Sequence, residues 1–453
     1  MHISGSPICL IYGLPFPVND KTSLYYFSHN PFSHNPFSHN PQNTISMNKL
    51  CSVVMAAVML ASASNAKAYD FASGQLFYNV LSETDGTVEV TQNESGTYSG
   101  DIIIPDVAAY NGKTYTVTRI GDSAFKQSDI TSLRCGNNLT HLSAWSLSSC
   151  TKLKSLYISK SVTNIEADAA AGCSVLRNLV FEPGCKAVIG SRAFADCPKF
   201  VCLLLPTTVT YEAQAFSSSA CAVEFVGDLK SLNNGVFANV FPAYVMLGTV
   251  KPPTIGKVKP FDSKAKYFST LYVPRGSLAA YKADTYWGTF SEIYEKPLEL
   301  AVNGSAERVI STNVNAALAT RLTFDARQDD FKPSNLGVYT DDSDIVKIEY
   351  VSTDEDGSIN YNITGLKDGI AKVSFLYYNT NGLTVTYICY VCVGQFAAVH
   401  DVTVDTAEPA AYGVYNLSGV KVADGMSKDA VNTLPRGFYI LVSPQGSTKH
   451  IVR

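Results

Sequence analysis

The chain has 453 residues, 46% of them hydrophobic and 16% charged, with 35 basic against 39 acidic side chains and a formal charge of −4. That length and apolar content suffice for roughly two to four domains. The mild acidity, with basic residues scattered and no aromatic-interleaved basic run, argues against a nucleic-acid partner.

Residues 27–41 repeat FSHNP three times and hold His29, His34 and His39. His-rich tracts can bind metal, but Phe and Pro separate these widely spaced rings and no metal site is expected. Residues 47–68 have the form of a secretory signal peptide. Met47-Asn48-Lys49 is followed by an apolar run from Leu50 to Ala63, then by Ala66-Lys67-Ala68, which places cleavage between Ala68 and Tyr69. The run is short and interrupted by serine, so no membrane-spanning segment is expected in the mature chain. With translation read as starting at Met47, residues 1–46 are expected to be a gene-call artefact; the alternative is a genuine extension. Cleavage removes three lysines and one aspartate, taking the charge from −4 to −6.

Residues 69–118 read as strands, Leu76 to Leu81, Thr87 to Thr91, Gly100 to Ile104 and Lys113 to Val117, with an Asn-Gly turn at Asn111. They form the expected amino-terminal β cap. From 119 to 250 one phrase recurs, written most plainly as RIGDSAF and VIGSRAFADC. Its anchors are Phe125, Leu147, Ala170, Phe194, Phe216 and Phe237, spaced by 22, 23, 24, 22 and 21 residues. Between them lie short alternating stretches, Leu133/Cys135, Leu156/Ile158, Leu179/Phe181, Leu203/Leu205 and Val223/Phe225, each a predicted strand. A unit this small cannot bury its apolar side alone, so the copies must stack into a solenoid with the anchors as its core. The AF-x-x-C ending, the IG before it, the L-x-L strand and the exits Ile104-Pro105 and Leu205-Pro206 resemble the BspA-like leucine-rich repeat family over about residues 100–250. Leu147 and Ala170 depart from the family's Phe, and Ala170 leaves little side chain at a core position.

Residues 251–296 are the expected carboxy-terminal cap. Pro252-Pro253 breaks the chain, Ser269 to Pro274 is a strand, and Ser277 caps a short helix to Ala283, with Trp287 and Phe290 packing it down. From 297 to 395 six short alternating strands, Leu298 to Val302, Ala319 to Phe324, Ile345 to Tyr350, Ile359 to Ile363, Ala371 to Tyr377 and Thr384 to Val393, predict a β-sandwich. Asp344-Ile345-Val346, Gly365-Leu366-Lys367-Asp368-Gly369 and Ala371-Lys372-Val373 resemble a bacterial group 2 Ig-like domain. Residues 396–453 carry Val414-Tyr415-Asn416-Leu417-Ser418-Gly419 and Leu434-Pro435-Arg436-Gly437-Phe438-Tyr439-Ile440, which resemble a type IX secretion sorting domain. The fold expected is thus mainly β, a capped leucine-rich-repeat solenoid followed by an Ig-like sandwich and a small β domain.

Catalytic patterns are missing. The mature chain keeps His141, His400 and His450, and no H-E-x-x-H, G-x-S-x-G or P-loop spacing occurs. Asp354-Glu355-Asp356-Gly357 lacks the first Asp and the last Glu of a calcium loop and reads as a solvated turn. Cys389 and Cys392 lie three apart on a strand and point to opposite faces, against a metal or redox pair. Cys150, Cys173 and Cys197 recur three residues after their anchors and read as small buried thiols. Disulfides between coils are not excluded by distance.

These observations predict a non-enzymatic protein without metal or cofactor, and the resemblances imply a secreted or surface-displayed adhesin of a Gram-negative bacterium, with a protein or glycan partner. The alternatives are surface capture of glycan or nutrient and, behind it, an enzyme with an unfamiliar site. The candidate binding surface is the outward row of the solenoid strands, Arg134, Tyr157, Val180, Leu204 and Glu224, flanked by Ser155, Asn178, Ser159 and Glu182. An apolar stripe on a face that should meet water marks a contact. The competing reading packs it against the caps, the Ig-like domain or a second copy.

Overall fold

A computed structural model describes residues 69–453 apart from 94–96, 220–221, 233, 298, 307, 325–334, 379–383, 398–411, 417–420, 432, 436, 444–445 and 453. Residues 1–68, with the expected signal segment and Ala68, lie outside the described residues, as does His400.

Each repeat forms one coil of a solenoid and gives one strand to a lateral sheet. Ser99–Ile103, Asp129–Arg134, Ser155–Ile158 and Asn178–Phe181 pair in parallel. Leu203–Pro206, Val223–Val226, Tyr244–Leu247, Thr270–Val273 and Glu292–Glu295 form a second parallel group. The register places Arg134, Tyr157 and Val180 side by side, then Leu204, Glu224, Met246, Tyr272 and Tyr294. The IG phrases form a ladder of short strands on another side, among them His141–Leu142, Asn164–Ile165, Val188–Ile189 and Thr210–Tyr211.

All six anchors are fully buried. Phe194, Phe216, Phe237 and Phe261 stack with ring centroids 5.4, 5.9 and 4.8 Å apart. Leu147 and Ala170 interrupt the aromatic stack, yet the backbone ladder passes straight through them. The Leu147 amide donates to the Ala169 carbonyl at 2.7 Å and the Ala170 amide to Ala193 at 2.8 Å. The turn achieves this by placing Ser123, Trp145, Asp168, Arg192 and Gln214, each two residues before an anchor, at φ between 52° and 58°. That left-handed conformation costs an L-residue roughly 1–2 kcal/mol; here it aims alternate amides at the next coil.

The cysteine ladder joins the same scheme. Cys150 Sγ donates to the Phe125 carbonyl at 2.9 Å, Cys173 to Leu147 at 3.2 Å and Cys197 to Ala170 at 3.4 Å, and Ser219 Oγ repeats the contact with Phe194 at 2.6 Å. These thiols are free. A hydroxyl replaces a thiol on the same rung because each needs only to be a small donor.

At the amino-terminal end Phe71–Ser73, Leu76–Ser82 and Thr87–Thr91 form an antiparallel ribbon, and the last pairs in parallel with Lys113–Ile120. Ser99–Ile103, expected in this cap, instead opens the lateral sheet. At the other end a helix Ser263–Phe268 starts at Asp262, whose carboxylate accepts the Ala265 amide at 2.8 Å. A second helix spans Leu278–Ala283; Ser277 precedes it but makes no side-chain cap, its hydroxyl donating back to the Pro274 carbonyl. Trp287 is fully buried and donates from Nε1 to the Pro253 carbonyl at 2.8 Å.

Residues 300–396 form two four-stranded sheets. One has the order Leu300–Val302, Ala317–Phe324, Ile359–Gly365, Val346–Thr353; the other Val309–Thr312, Thr384–Val393, Gly369–Tyr378, Leu336–Thr340. Val309–Thr312 and Leu336–Thr340 were not among the expected strands. Tyr412–Asn416, Lys421–Met426, Gly437–Ser443 and Gly446–Val452 make a separate small sheet around Val414, Val431 and Leu441. Among the described residues no helix is long and apolar enough to cross a membrane.

Candidate functional site

Strand alternation correctly sends Arg134, Tyr157, Val180, Leu204 and Glu224 away from the solenoid core, but they do not meet water. Their exposures are 6, 0, 0, 8 and 2%. The second sheet of residues 300–396 lies over them, and Tyr157, Val180, Leu204, Tyr244, Met246 and Tyr272 share one apolar cluster with Ile370, Tyr390 and Cys392. The flanking Ser155, Asn178, Ser159 and Glu182 are buried too. The expectation of an exposed binding row is therefore corrected: its apolar stripe is matched by another part of the same chain.

Three polar contacts fix this seam. Arg308 donates from Nη2 and Nη1 to the two Glu224 carboxylate oxygens at 2.9 and 3.2 Å, with side chains 5% and 2% exposed. Burial works against the Arg308 charge, but the Glu224 carboxylate together with Tyr387 and Cys389 more than offsets it and its pKa is raised. Toward the amino-terminal coils, Arg177 pairs with Asp341 at 3.0 Å and Asp342 at 3.4 Å, and Asn178 Nδ2 donates to Asp341 at 3.1 Å. Asp341 also accepts the Lys372 amide at 2.7 Å. Burial pulls the Lys372 ammonium below its ordinary pKa, with Asp341 opposing. Third, the Tyr244 hydroxyl donates to the Thr386 carbonyl at 2.8 Å. Arg134 completes the row, its guanidinium 5.3 Å from the centre of the Tyr157 ring.

One feature of the sequence announced the seam. Val385 to Val393 is apolar or aromatic at nearly every position rather than every second one, and a strand buried on both faces reads that way. What lay outside sequence reasoning was Arg308 as the partner of Glu224, because the two are 84 residues apart and joined only by the docking.

The remaining candidates have structural partners. Asp354 and Asp356 both pair with Arg321, at 3.2 and 2.7 Å. Cys389 and Cys392 are buried and free. His141 Nδ1 sits 2.8 Å from Thr140 Oγ1, its pKa lowered by burial and by Arg119. Among the described residues no three His, Cys, Asp or Glu side chains gather in a way that could hold a metal. Tyr69, the expected first residue after cleavage, packs edge-on against Phe77 with centroids 4.6 Å apart.

A repeated surface remains open on the turns. Trp145, one of two tryptophans in the chain, is 48% exposed there, with the Lys126 ammonium 6.0 Å from its ring. Asp168, Arg192 and Gln214 hold the equivalent places on the following coils, and Arg192 pairs with Asp168 at 3.1 Å.

Comparison with known proteins finds similarity in the repeats. Six copies of the BspA type leucine rich repeat region match residues 112–222 and 171–243. No curated protein matches the chain at a significant level. Among solved structures, a leucine-rich repeat protein from Bacteroides ovatus is 23% identical, with a TM-score of 0.36 over 47% of this chain and 57% of that one. A leucine rich cell surface protein from Faecalibacterium prausnitzii is 20% identical, with a TM-score of 0.34 over 52% of this chain and 57% of its own. The leucine rich repeat protein of T. pallidum is 19% identical, with a TM-score of 0.31 over 38% of this chain and 82% of that one. The match thus spans little more than half the length of the first two. The solenoid between residues 112 and 243 is thus the part of the chain that matches the BspA type leucine rich repeat region.

Proposed function

We propose that the protein is exported and acts at the cell surface of a Gram-negative bacterium as a non-catalytic, adhesin-like binding protein, with residues 297–395 an Ig-like domain and 396–453 a sorting domain. The repeat family and the signal-type segment support the location. The observation that carries the binding mode is Trp145. With the lateral row closed by the seam, the turns are the repeated surface left open, and a half-exposed Trp beside Lys126 has the character of an interface anchor for a protein partner.

Pull-down from host matrix and mucus with the purified chain, followed by titration of the captured protein, tests this. Trp145→Ala should weaken binding by about 2 kcal/mol or more, near thirtyfold. Unchanged affinity in a folded variant moves the site elsewhere. Glycan capture stands as a second reading because Tyr339 and Tyr350 are 55% and 62% exposed on residues 300–396. Binding to a glycan array that survives Trp145→Ala and is lost in Tyr350→Ala would favour it.

A further inference from the structure

The carboxy-terminal cap reverses the charge of the rest of the molecule. Between residues 257 and 268 stand Lys257, Lys259, Lys264 and Lys266 against one acid, Asp262, in a chain whose formal charge is −4. Asp262 is committed to the helix start, where it accepts the Ala265 amide. Among the described residues none of the four lysines forms an ion pair with a carboxylate. Lys259 and Lys266 are instead drawn to one ring, 5.6 and 4.5 Å from the centre of Tyr286. Lys266 also donates to the Thr289 hydroxyl at 2.7 Å and Lys259 to the Gly256 carbonyl at 3.4 Å, so two ammoniums gather at one ring with Asp262 as the nearby acid, and positive charge is in excess.

At the end of the same helix Tyr267 and Phe268 are 70% and 69% exposed, more than any other large hydrophobic side chain described. They meet edge to face at 90°, centroids 5.0 Å apart. Lys264, Tyr267 and Phe268 are spaced i, i+3, i+4 and share one side of the helix. Neighbouring rings at right angles give no flat platform for a sugar, and Phe268 has no polar group with which to read one. A protruding aromatic pair with Lys264 on its face and three further lysines in the same segment instead fits the boundary of an anionic bilayer, where rings enter the headgroup layer and ammoniums meet phosphates.

We propose that the Ser263–Phe268 helix of the cap is a peripheral docking site for an anionic lipid surface, with Tyr267 and Phe268 as the inserting pair, Lys264 beside them on the same face, and Lys257, Lys259 and Lys266 adding positive charge from the same segment. The site is separate from the Trp145 surface and does not depend on it.

The test is co-sedimentation of the full chain with vesicles of phosphatidylcholine alone and of phosphatidylcholine with about a third phosphatidylglycerol. Binding should be at least about tenfold stronger to the anionic vesicles and should weaken as salt shortens the range of the charges. Tyr267→Ser/Phe268→Ser and Lys257→Glu/Lys264→Glu should each reduce it about tenfold or more, without change in melting temperature because these side chains are exposed. Trp145→Ala should bind vesicles normally. Absence of binding, equal binding to both vesicles, or unchanged binding in both double variants overturns the proposal. So does retention on a sulfated polysaccharide column by a chain that ignores the vesicles, which would assign the lysines to a glycan.

Discussion

Replacing Glu224 by Gln keeps the shape of the seam and strands the Arg308 guanidinium in it. The two charges lie about 4 Å apart, and at the effective dielectric suited to protein interiors their attraction is about 4 kcal/mol. Both side chains are at least 95% buried, so solvent recovers little of that loss. Removing one partner of such a pair typically costs about 3–5 kcal/mol, whereas replacing both by apolar residues of similar volume is often neutral or stabilising. Glu224→Gln should therefore destabilise the seam by about 3 kcal/mol or more, and Glu224→Met/Arg308→Leu should recover most of it. Hydrogen exchange is the suitable assay because it reads local opening. Amides of Thr384–Val393 should exchange over about a hundredfold faster in the single variant, while those around Phe125 at the far end of the solenoid stay protected. A change under about 1 kcal/mol in Glu224→Gln, or a double variant as loose as the single one, would refute the reasoning.

Tyr157→Ala, on a surface row, would cost about 0.5 kcal/mol or less; fully buried in the seam it should cost about 3–5 kcal/mol, as Phe194→Ala does in the solenoid core, and thermal melting of both variants decides it. Lys372 has a folded-state pKa below its ordinary 10.5, so the folded chain disfavours its proton, fully below the folded value and no longer above 10.5. Lys372→Met should thus be more stable than wild type near pH 7, with an advantage that shrinks as the pH is raised toward 10.5 in denaturation series. Cys150 has its thiol pushed up by the adjacent Cys173 and by burial, and should resist iodoacetamide in the native protein until unfolding exposes it, as mass spectrometry will show.

The solenoid was legible because repetition states the same fact six times. An apolar anchor every 21 to 24 residues, Phe at four of six, can only be a stack. Strand positions in residues 300–396 were legible from alternation, apart from Val309–Thr312 and Leu336–Thr340, whose residues are mostly half-buried and carry a weak pattern. The fate of the lateral row was not. Alternation tells which way Tyr157 points and is silent on what comes back to meet it, since Tyr390 lies more than two hundred residues downstream. The lysines of residues 257–266 were overlooked for a related reason. They are interrupted by Pro, Phe and Asp in sequence, and two of them converge only when the chain turns them onto Tyr286.

The seam also bears on how this gene can change. Tandem repeats ordinarily gain and lose whole units by unequal crossing-over, because each coil needs only its neighbours. Here the covering sheet grips three different coils at once, through Asn178, Glu224 and Tyr244. One extra coil between Asn178 and Glu224 would separate those grips by a further ~4.8 Å, beyond the reach of any hydrogen bond. The covering domain therefore measures the array, and a coil added or removed between Asn178 and Tyr244 would break its grip.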